Sequence, residues 1–286
     1  MITSESYIKK HLPVHKCDAH KGERGRVLII GGTVGLTGAV CMASDAALKS
    51  GAGLITAAVP HSLNQIFEIK LTEVMTLPLA DNGGVFTPAA GNKALEFAMK
   101  CDSVAIGPGA GVNEGIKEIV KEILLHYDKK LVLDADALNV LSEDTLQLKQ
   151  TKSDVLITPH IGEMSRLTKK SIDEIISDRE KIATDFAKEY GVNVLLKGKN
   201  TIVTDGKDIF INPTGNNGMA KGGSGDVLTG ICASVAAQGA NCFECGVLGA
   251  YIHGRAGDLA KEKYTDYYMT PCHITECLDQ VFKEII

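Results

Sequence analysis

Gly215-Asn216-Asn217-Gly218-Met219-Ala220-Lys221-Gly222-Gly223-Ser224-Gly225-Asp226 runs straight into an apolar helical pattern, Val227–Ala237. Four of its last nine residues are glycine, so several backbone N–H groups can turn toward one point. The helix behind adds the positive end of its dipole there. The pattern predicts an anion site suited to phosphate, with Gly222, Gly223, Ser224 and Gly225 as its cradle. Asp226, at the rim, is placed to take a proton from a hydroxyl that approaches the phosphate. The same residues also suit a plain glycine-rich turn with Asp226 as N-cap, worth about 1 kcal/mol and no chemistry. The rest of the chain bears on the choice.

Outward from this loop, short β-branched apolar runs alternate with longer helical patterns. Strands are expected at Arg26–Ile30, Leu54–Val59, Ser103–Ile106, Lys130–Leu133, Val155–Ile157, Val192–Lys197, Thr201–Thr204 and Ile209–Asn212. Between them lie amphipathic stretches such as Ala39–Ser50, Gly115–His126 and Ser171–Tyr190. Continuous apolar strands separated by helices imply an α/β fold with a mostly parallel sheet covered on both faces. Asp205-Gly206-Lys207 predicts an antiparallel hairpin between the last two strands. With no internal repeat, low-complexity linker or break in composition, residues 1–286 read as one domain.

In open α/β sheets, ligands collect beyond the carboxyl ends of the strands. Gly31-Gly32-Thr33, Gly107-Pro108-Gly109, Asp134-Ala135-Asp136, Thr158-Pro159-His160 and Lys197-Gly198-Lys199 each follow an expected strand. All five clusters therefore fall on one predicted edge.

The composition bounds the class. The chain is 44% apolar and 23% charged with a net charge of −5, which suits a globular enzyme and supplies no basic face for nucleic acid. No apolar run approaches the roughly 18 residues of a membrane span. The first ten residues lack the apolar core of a signal peptide, so a cytoplasmic protein is expected. Eight cysteines in such a protein do not read as a disulfide framework. Cys242-Phe243-Glu244-Cys245 has redox or half-zinc spacing, but Cys272 and Cys277 are wrongly spaced to complete a metal site.

Two common nucleotide signatures fail. From Gly31 a dinucleotide fingerprint needs glycine at 33 and 36, where Thr33 and Leu36 stand, and no P-loop pattern occurs anywhere. A phosphate site must use another device, and the loop ending at Asp226 supplies one.

The order of motifs resembles the ribokinase-like superfamily, whose late glycine-rich loop ends in an aspartate acting as base. Lys21-Gly22-Glu23-Arg24-Gly25-Arg26, Gly107-Pro108-Gly109-Ala110-Gly111 and Leu133-Asp134-Ala135-Asp136-Ala137-Leu138-Asn139 narrow the match. So do Thr158-Pro159-His160-Ile161-Gly162-Glu163, Leu196-Lys197-Gly198-Lys199 and Asn212-Pro213-Thr214-Gly215-Asn216. Together, over residues 10–280, they resemble the ADP-dependent NAD(P)H-hydrate dehydratase family. The resemblance implies a ribokinase-like three-layer sandwich, mostly parallel in its central sheet with helices on both faces. It also implies repair of hydrated NADH or NADPH. The ring hydroxyl of the S-epimer is phosphorylated from ADP, with ATP as the other candidate donor, and loss of phosphate restores the double bond. Mg²⁺, a homotetramer and a separate NAD(P)H-hydrate epimerase come with the same implication.

Carried over residue by residue, Asp226 is the base, and Gly222, Gly223, Ser224 and Gly225 bind nucleotide phosphate. Lys197, Gly198, Lys199, Asn200 and Thr201 match the adenine-nucleotide segment. Ala39, Gly109 and His160, with Asp226, match substrate-contacting positions, the first two serving by being small. Glu163 is the Mg²⁺ candidate, acting through water, or else a helix-start glutamate stabilised by the dipole. Asp134 and Asp136 suit Mg²⁺ or polar substrate groups, and Asp136 suits a helix cap equally. Lys21 and Arg24 could touch substrate phosphates or form a solvated loop. Where the family pattern carries proline this chain has Ile161, which alters the turn without removing a functional group. The competing readings are a vitamin-type kinase acting on a hydroxymethylpyrimidine or thiazole alcohol, and a non-catalytic nucleotide sensor, which could dispense with Asp226.

Overall fold

The computed structural model describes residues 1–15, 18 and 20–286. Cys17, one of the eight cysteines, lies outside them. The first half runs α1 (Glu5–His11), β1 (Arg26–Ile30), α2 (Thr37–Lys49), β2 (Leu54–Pro60), α3 (Asn64–Lys70), β3 (Met75–Leu79), β4 (Asp81–Asn82), β5 (Val85–Phe86), α4 (Ala90–Ala98), β6 (Ser103–Ile106), α5 (Glu114–His126), β7 (Lys130–Leu133) and α6 (Asp136–Leu141). The second runs β8 (Asp154–Ile157), α7 (Ile161–Thr168), α8 (Ile172–Ser177), α9 (Arg179–Tyr190), β9 (Asn193–Leu196), β10 (Thr201–Thr204), β11 (Ile209–Asn212), α10 (Ser224–Ala237), α11 (Cys242–Tyr268), α12 (Pro271–Glu276) and α13 (Leu278–Ile285).

Nine strands form one sheet in the order β11-β10-β9-β8-β7-β6-β1-β2-β3. Pairing is parallel from β3 across to β9, and the hairpin β10–β11 joins antiparallel, as its Asp-Gly turn predicts. Side chains alternate between two cores, as a period of two requires. Val27, Ile29, Ala57, Ala105, Val132, Leu156 and Leu195 pack with α2, α10 and α11 on one face. Leu28, Ile30, Val104, Ile106, Leu133, Ile157 and Leu196 pack with α4–α7 and α9 on the other. Both faces are covered, which is why the parallel strands read as unbroken apolar runs. This is the three-layer, ribokinase-like arrangement the resemblance implied.

Three local differences have physical causes. β3 contains Pro78, which reads against a strand, but β3 is the sheet's edge with β2 as its partner, where a missing N–H is tolerated. The helical stretch 171–190 breaks at Asp178 (φ −147°, ψ 56°) into α8 and α9, with α8 opened by a Ser171–Glu174 capping box. The helix expected from Val227 begins three residues earlier, at Ser224. Asp226 is thus the third residue of α10, and the cap position belongs to Gly223 (φ 99°), so the N-cap reading of Asp226 does not hold.

Candidate active site

The parallel strands bring the five polar and glycine clusters to one edge, where α10 presents its N-terminus. The N–H groups of Gly225 and Asp226 lie in the first turn, where no intrahelical carbonyl can satisfy them. Gly223 reaches its left-handed conformation beside Met42 of α2, where a side chain would collide. The segment leading in is pinned to α11. Asn216 Nδ2 donates to Asp258 (2.9 Å), Asn217 Nδ2 to Asp266 (2.9 Å), and Lys221 Nζ to the Tyr267 carbonyl (2.8 Å). The cradle is therefore a braced surface.

A buried cluster of charge lies beneath it. Lys197 Nζ is 2.7 Å from Asp134 Oδ1 and 3.6 Å from Glu163 Oε2. Thr229 of α10 donates to the other Asp134 oxygen at 2.7 Å. Burial opposes ionisation of both partners, yet the Lys197 ammonium holds Asp134 below the usual carboxylate range, and Asp134 and Glu163 hold Lys197 above its ordinary value. Both members of the pair are charged.

Asp226 behaves in the opposite way. Burial pushes its carboxyl up to about 7, Asp134 and Asp136 add to that, and Lys197 opposes it. A carboxylate poised near neutrality is what a general base needs, since proton transfer is most effective when the base's pKa lies near the working pH. In ¹³C-aspartate-labelled free protein, one carboxyl carbon absent from the Asp226→Asn variant is expected to titrate near pH 7. Because the folded-state pKa is raised, the active base form is lost as pH falls through that value. A midpoint near 4 would remove the poised base.

His160 caps α7, its Nδ1 accepting from the Gly162 and Glu163 N–H groups at 2.9 and 3.2 Å, while Glu163 Oε2 accepts the His160 N–H at 2.7 Å. With Nδ1 committed as acceptor, the ring's other nitrogen, Nε2, lies 3.5 Å from Glu163 Oε1 on a half-exposed side chain. Glu163 is 5% exposed and does realise the helix-start role. Ile161 occupies the first helical position, which also suits proline, so the departure from the family pattern leaves the turn intact.

Ala39 and Gly109 come together: a Cβ on Gly109 would stand 3.0 Å from that of Ala39, so bulk at either position would fill the gap between α2 and the loop after β6. Asp136 is largely occupied, accepting from the Gly111 N–H (2.8 Å) and Asn139 Nδ2 (3.2 Å), which makes it a loop brace. In the nucleotide segment, Gly198 (φ 148°) and Asn200 (φ 54°) have positive φ, and the Arg179 guanidinium donates to the Lys199 carbonyl at 2.7 Å. Lys21 and Arg24 are not brought to the site. They precede β1, and the Arg24 carbonyl accepts from Gly53 ahead of β2, at the opposite sheet edge.

Sequence reasoning missed Thr229, Arg179 and His253. His253 of α11 is buried with Nε2 3.3 Å from Ser224 Oγ, and burial pulls its pKa down to about 4, leaving it neutral at pH 7. Cys242 and Cys245 are buried in α11, where burial raises both thiols well above their usual values. Among the described residues no three His, Cys, Asp or Glu side chains converge as a metal cage.

Residues 27–280 match the family described as NAD(P)H-hydrate dehydratase. A bifunctional NAD(P)H-hydrate repair enzyme of Moorella thermoacetica is 42% identical, over 99% of this chain and 54% of its own length. An ADP-dependent (S)-NAD(P)H-hydrate dehydratase of Cenarchaeum symbiosum is 32% identical, over 99% of this chain and 96% of its own length. Among solved structures, the ADP/ATP-dependent NAD(P)H-hydrate dehydratase from Bacillus subtilis, co-crystallized with ATP/Mg²⁺, superposes with a TM-score of 0.86. It is 25% identical and matched over 100% of this chain and 98% of its own. The chain spans about half the length of the bifunctional relatives it matches.

Proposed function

Because the chain belongs to the NAD(P)H-hydrate dehydratase family, we propose that it restores NADH and NADPH from their S-hydrates, with ADP as phosphoryl donor. The observation that carries this reading is the carboxyl of Asp226, held near neutral pKa in the first turn of α10 beside the fixed Lys197 ammonium. Asp226 accepts the proton of the ring hydroxyl, whose oxygen attacks the terminal phosphorus of ADP, and AMP departs. The cradle N–H groups and Lys197 meet the charge on the transferring group. Phosphate then leaves with the electron pair of its bond to ring carbon, the neighbouring carbon loses a proton, and the ring double bond returns. Phosphorylation is needed because hydroxide leaves poorly near neutral pH. The half-exposed ring of His160 and the small residues Ala39 and Gly109 form the reading's dinucleotide contacts.

The donor set suits Mg²⁺ held mainly by nucleotide phosphate and water, with the buried Glu163 carboxylate holding one of those waters. When bound, the cation would neutralise phosphate charge. We take residues 1–286 as one domain of a cytoplasmic homotetramer, served by an epimerase that converts the other hydrate epimer. Among the described residues no helix is long and apolar enough to cross a membrane.

The test is recovery of reduced-nicotinamide absorbance from hydrated NADH with Mg²⁺ and ADP, or ATP, against a control without nucleotide. Recovery with AMP formed from ADP is expected. Nucleotide turnover on a pyrimidine or thiazole alcohol, with no recovery from the hydrate, would replace the reading with the vitamin kinase.

A further inference from the structure

Asp134 is an unusual residue to find at the end of an apolar strand. It is 1% exposed, directly after β7, and both of its oxygens are taken: Oδ1 by Lys197 after β9, Oδ2 by Thr229 of α10. Thr229 is fully buried and lies three residues beyond Asp226 on the same helix. A Cβ on Gly225 would stand 3.5 Å from Lys197 Nζ and 3.9 Å from Asp134 Oδ2, so the pair lies directly against the cradle. A buried ion pair is a poor device for stability, because desolvating two charges offsets most of their attraction. Lysine is also a flexible point charge that would otherwise sample many positions. The arrangement makes sense if the ammonium has to be held at one point.

We propose that Asp134 is a positioning residue for phosphoryl transfer: anchored by Thr229, it acts through Lys197, fixing the ammonium against the glycine cradle where the terminal phosphate of a nucleoside diphosphate arrives. Asp134 itself touches neither nucleotide nor hydroxyl substrate. This inference rests on the nucleotide-dependent reading above and adds a role that local motifs do not show, since the two contacts span 63 and 95 residues of chain.

A double-mutant cycle tests it. ADP affinity, by calorimetry with Mg²⁺, and turnover are compared in the wild type, Asp134→Asn, Lys197→Met and the double variant. Lys197→Met is expected to lose about 10²-fold in turnover, the scale of removing one group that stabilises transition-state charge. Asp134→Asn is expected to lose at least about tenfold, and the double variant to be no worse than Lys197→Met, since a residue acting only through its partner has nothing further to remove. Multiplying losses would overturn the proposal, because a structural Asp134 would add its cost to that of Lys197. If Asp134→Asn fails to fold, Thr229→Val decides. Its loss of a few fold is expected to vanish in the Lys197→Met background, and persistence of that loss overturns the idea. The affinity arm needs no hydrated dinucleotide, so coupling in ADP binding without nicotinamide recovery would sink the dehydratase reading and leave this one standing.

Discussion

Asp226→Asn lowers turnover by about 10²–10⁴-fold, the usual worth of a positioned base, while ADP affinity stays within a few fold of the wild type. Asparagine keeps the shape and the first-turn position of Asp226 but cannot accept the hydroxyl proton. The loss should appear in kcat, since the cradle N–H groups and Lys197, to which the proposed function gives the nucleotide, are untouched. Unfolding can be separated from loss of chemistry by its sign. The Asp226 carboxyl is pushed up to about 7, above its ordinary value of 3.8, so the folded state holds that proton more tightly than the unfolded chain does. Stability from this group is present at low pH and is lost as pH rises from the unfolded value through about 7. Asparagine never ionises, so at pH 8 the variant should melt no lower than the wild type. A folded Asp226→Asn protein that turns over at the wild-type rate would remove Asp226 from the mechanism.

The parts of this site that were legible in the sequence are those fixed by local chemistry. Polar and glycine clusters after β1, β6, β7, β8 and β9 mark one sheet edge, because parallel strands all end on the same side. The glycine-rich loop before α10 announces itself through glycines in front of an apolar helix. The parts that were hidden are set by distance in the chain. Nothing near Lys197 says that its ammonium turns inward to Asp134 rather than outward to solvent, and Thr229 reads as an ordinary helix residue until α10 is laid across β7. The sequence likewise offers Glu163 two roles. Its hydrogen bond to the His160 N–H realises the helix-start one, and the 3.6 Å approach to Lys197 ties it to the charge cluster as well. α10 starts before the apolar run because Gly225, which reads as loop, has in a helix's first turn no intrahelical N–H bond to lose.

The rigidity of that edge makes the second large effect a matter of backbone. Gly107 directly follows β6 with φ 129°, a conformation L side chains rarely adopt, and its N–H bonds to the Ile30 carbonyl at 3.1 Å. A Cβ there would be driven into the carbonyl oxygen of Asp134 and would stand 3.2 Å from the Ala137 nitrogen. Gly107→Ala therefore combines backbone strain of about 1–3 kcal/mol with an overpacking cost of similar size. A total of roughly 2–6 kcal/mol is a large share of the 5–15 kcal/mol that usually separates folded from unfolded. The chain can relieve the clash only by moving the loop that carries Asp134, which displaces Lys197 from the cradle. Urea unfolding should thus show a large drop in midpoint, and the folded fraction should bind ADP more weakly than the wild type. Gly222→Ala is the contrast, since a Cβ there meets nothing within 4 Å and no positive φ is involved. Its unfolding midpoint should stay near that of the wild type. Equal midpoints for Gly107→Ala and the wild type would mean that the loop after β7 yields freely, and that the charge cluster beneath the cradle is not held by the packing of the strand ends.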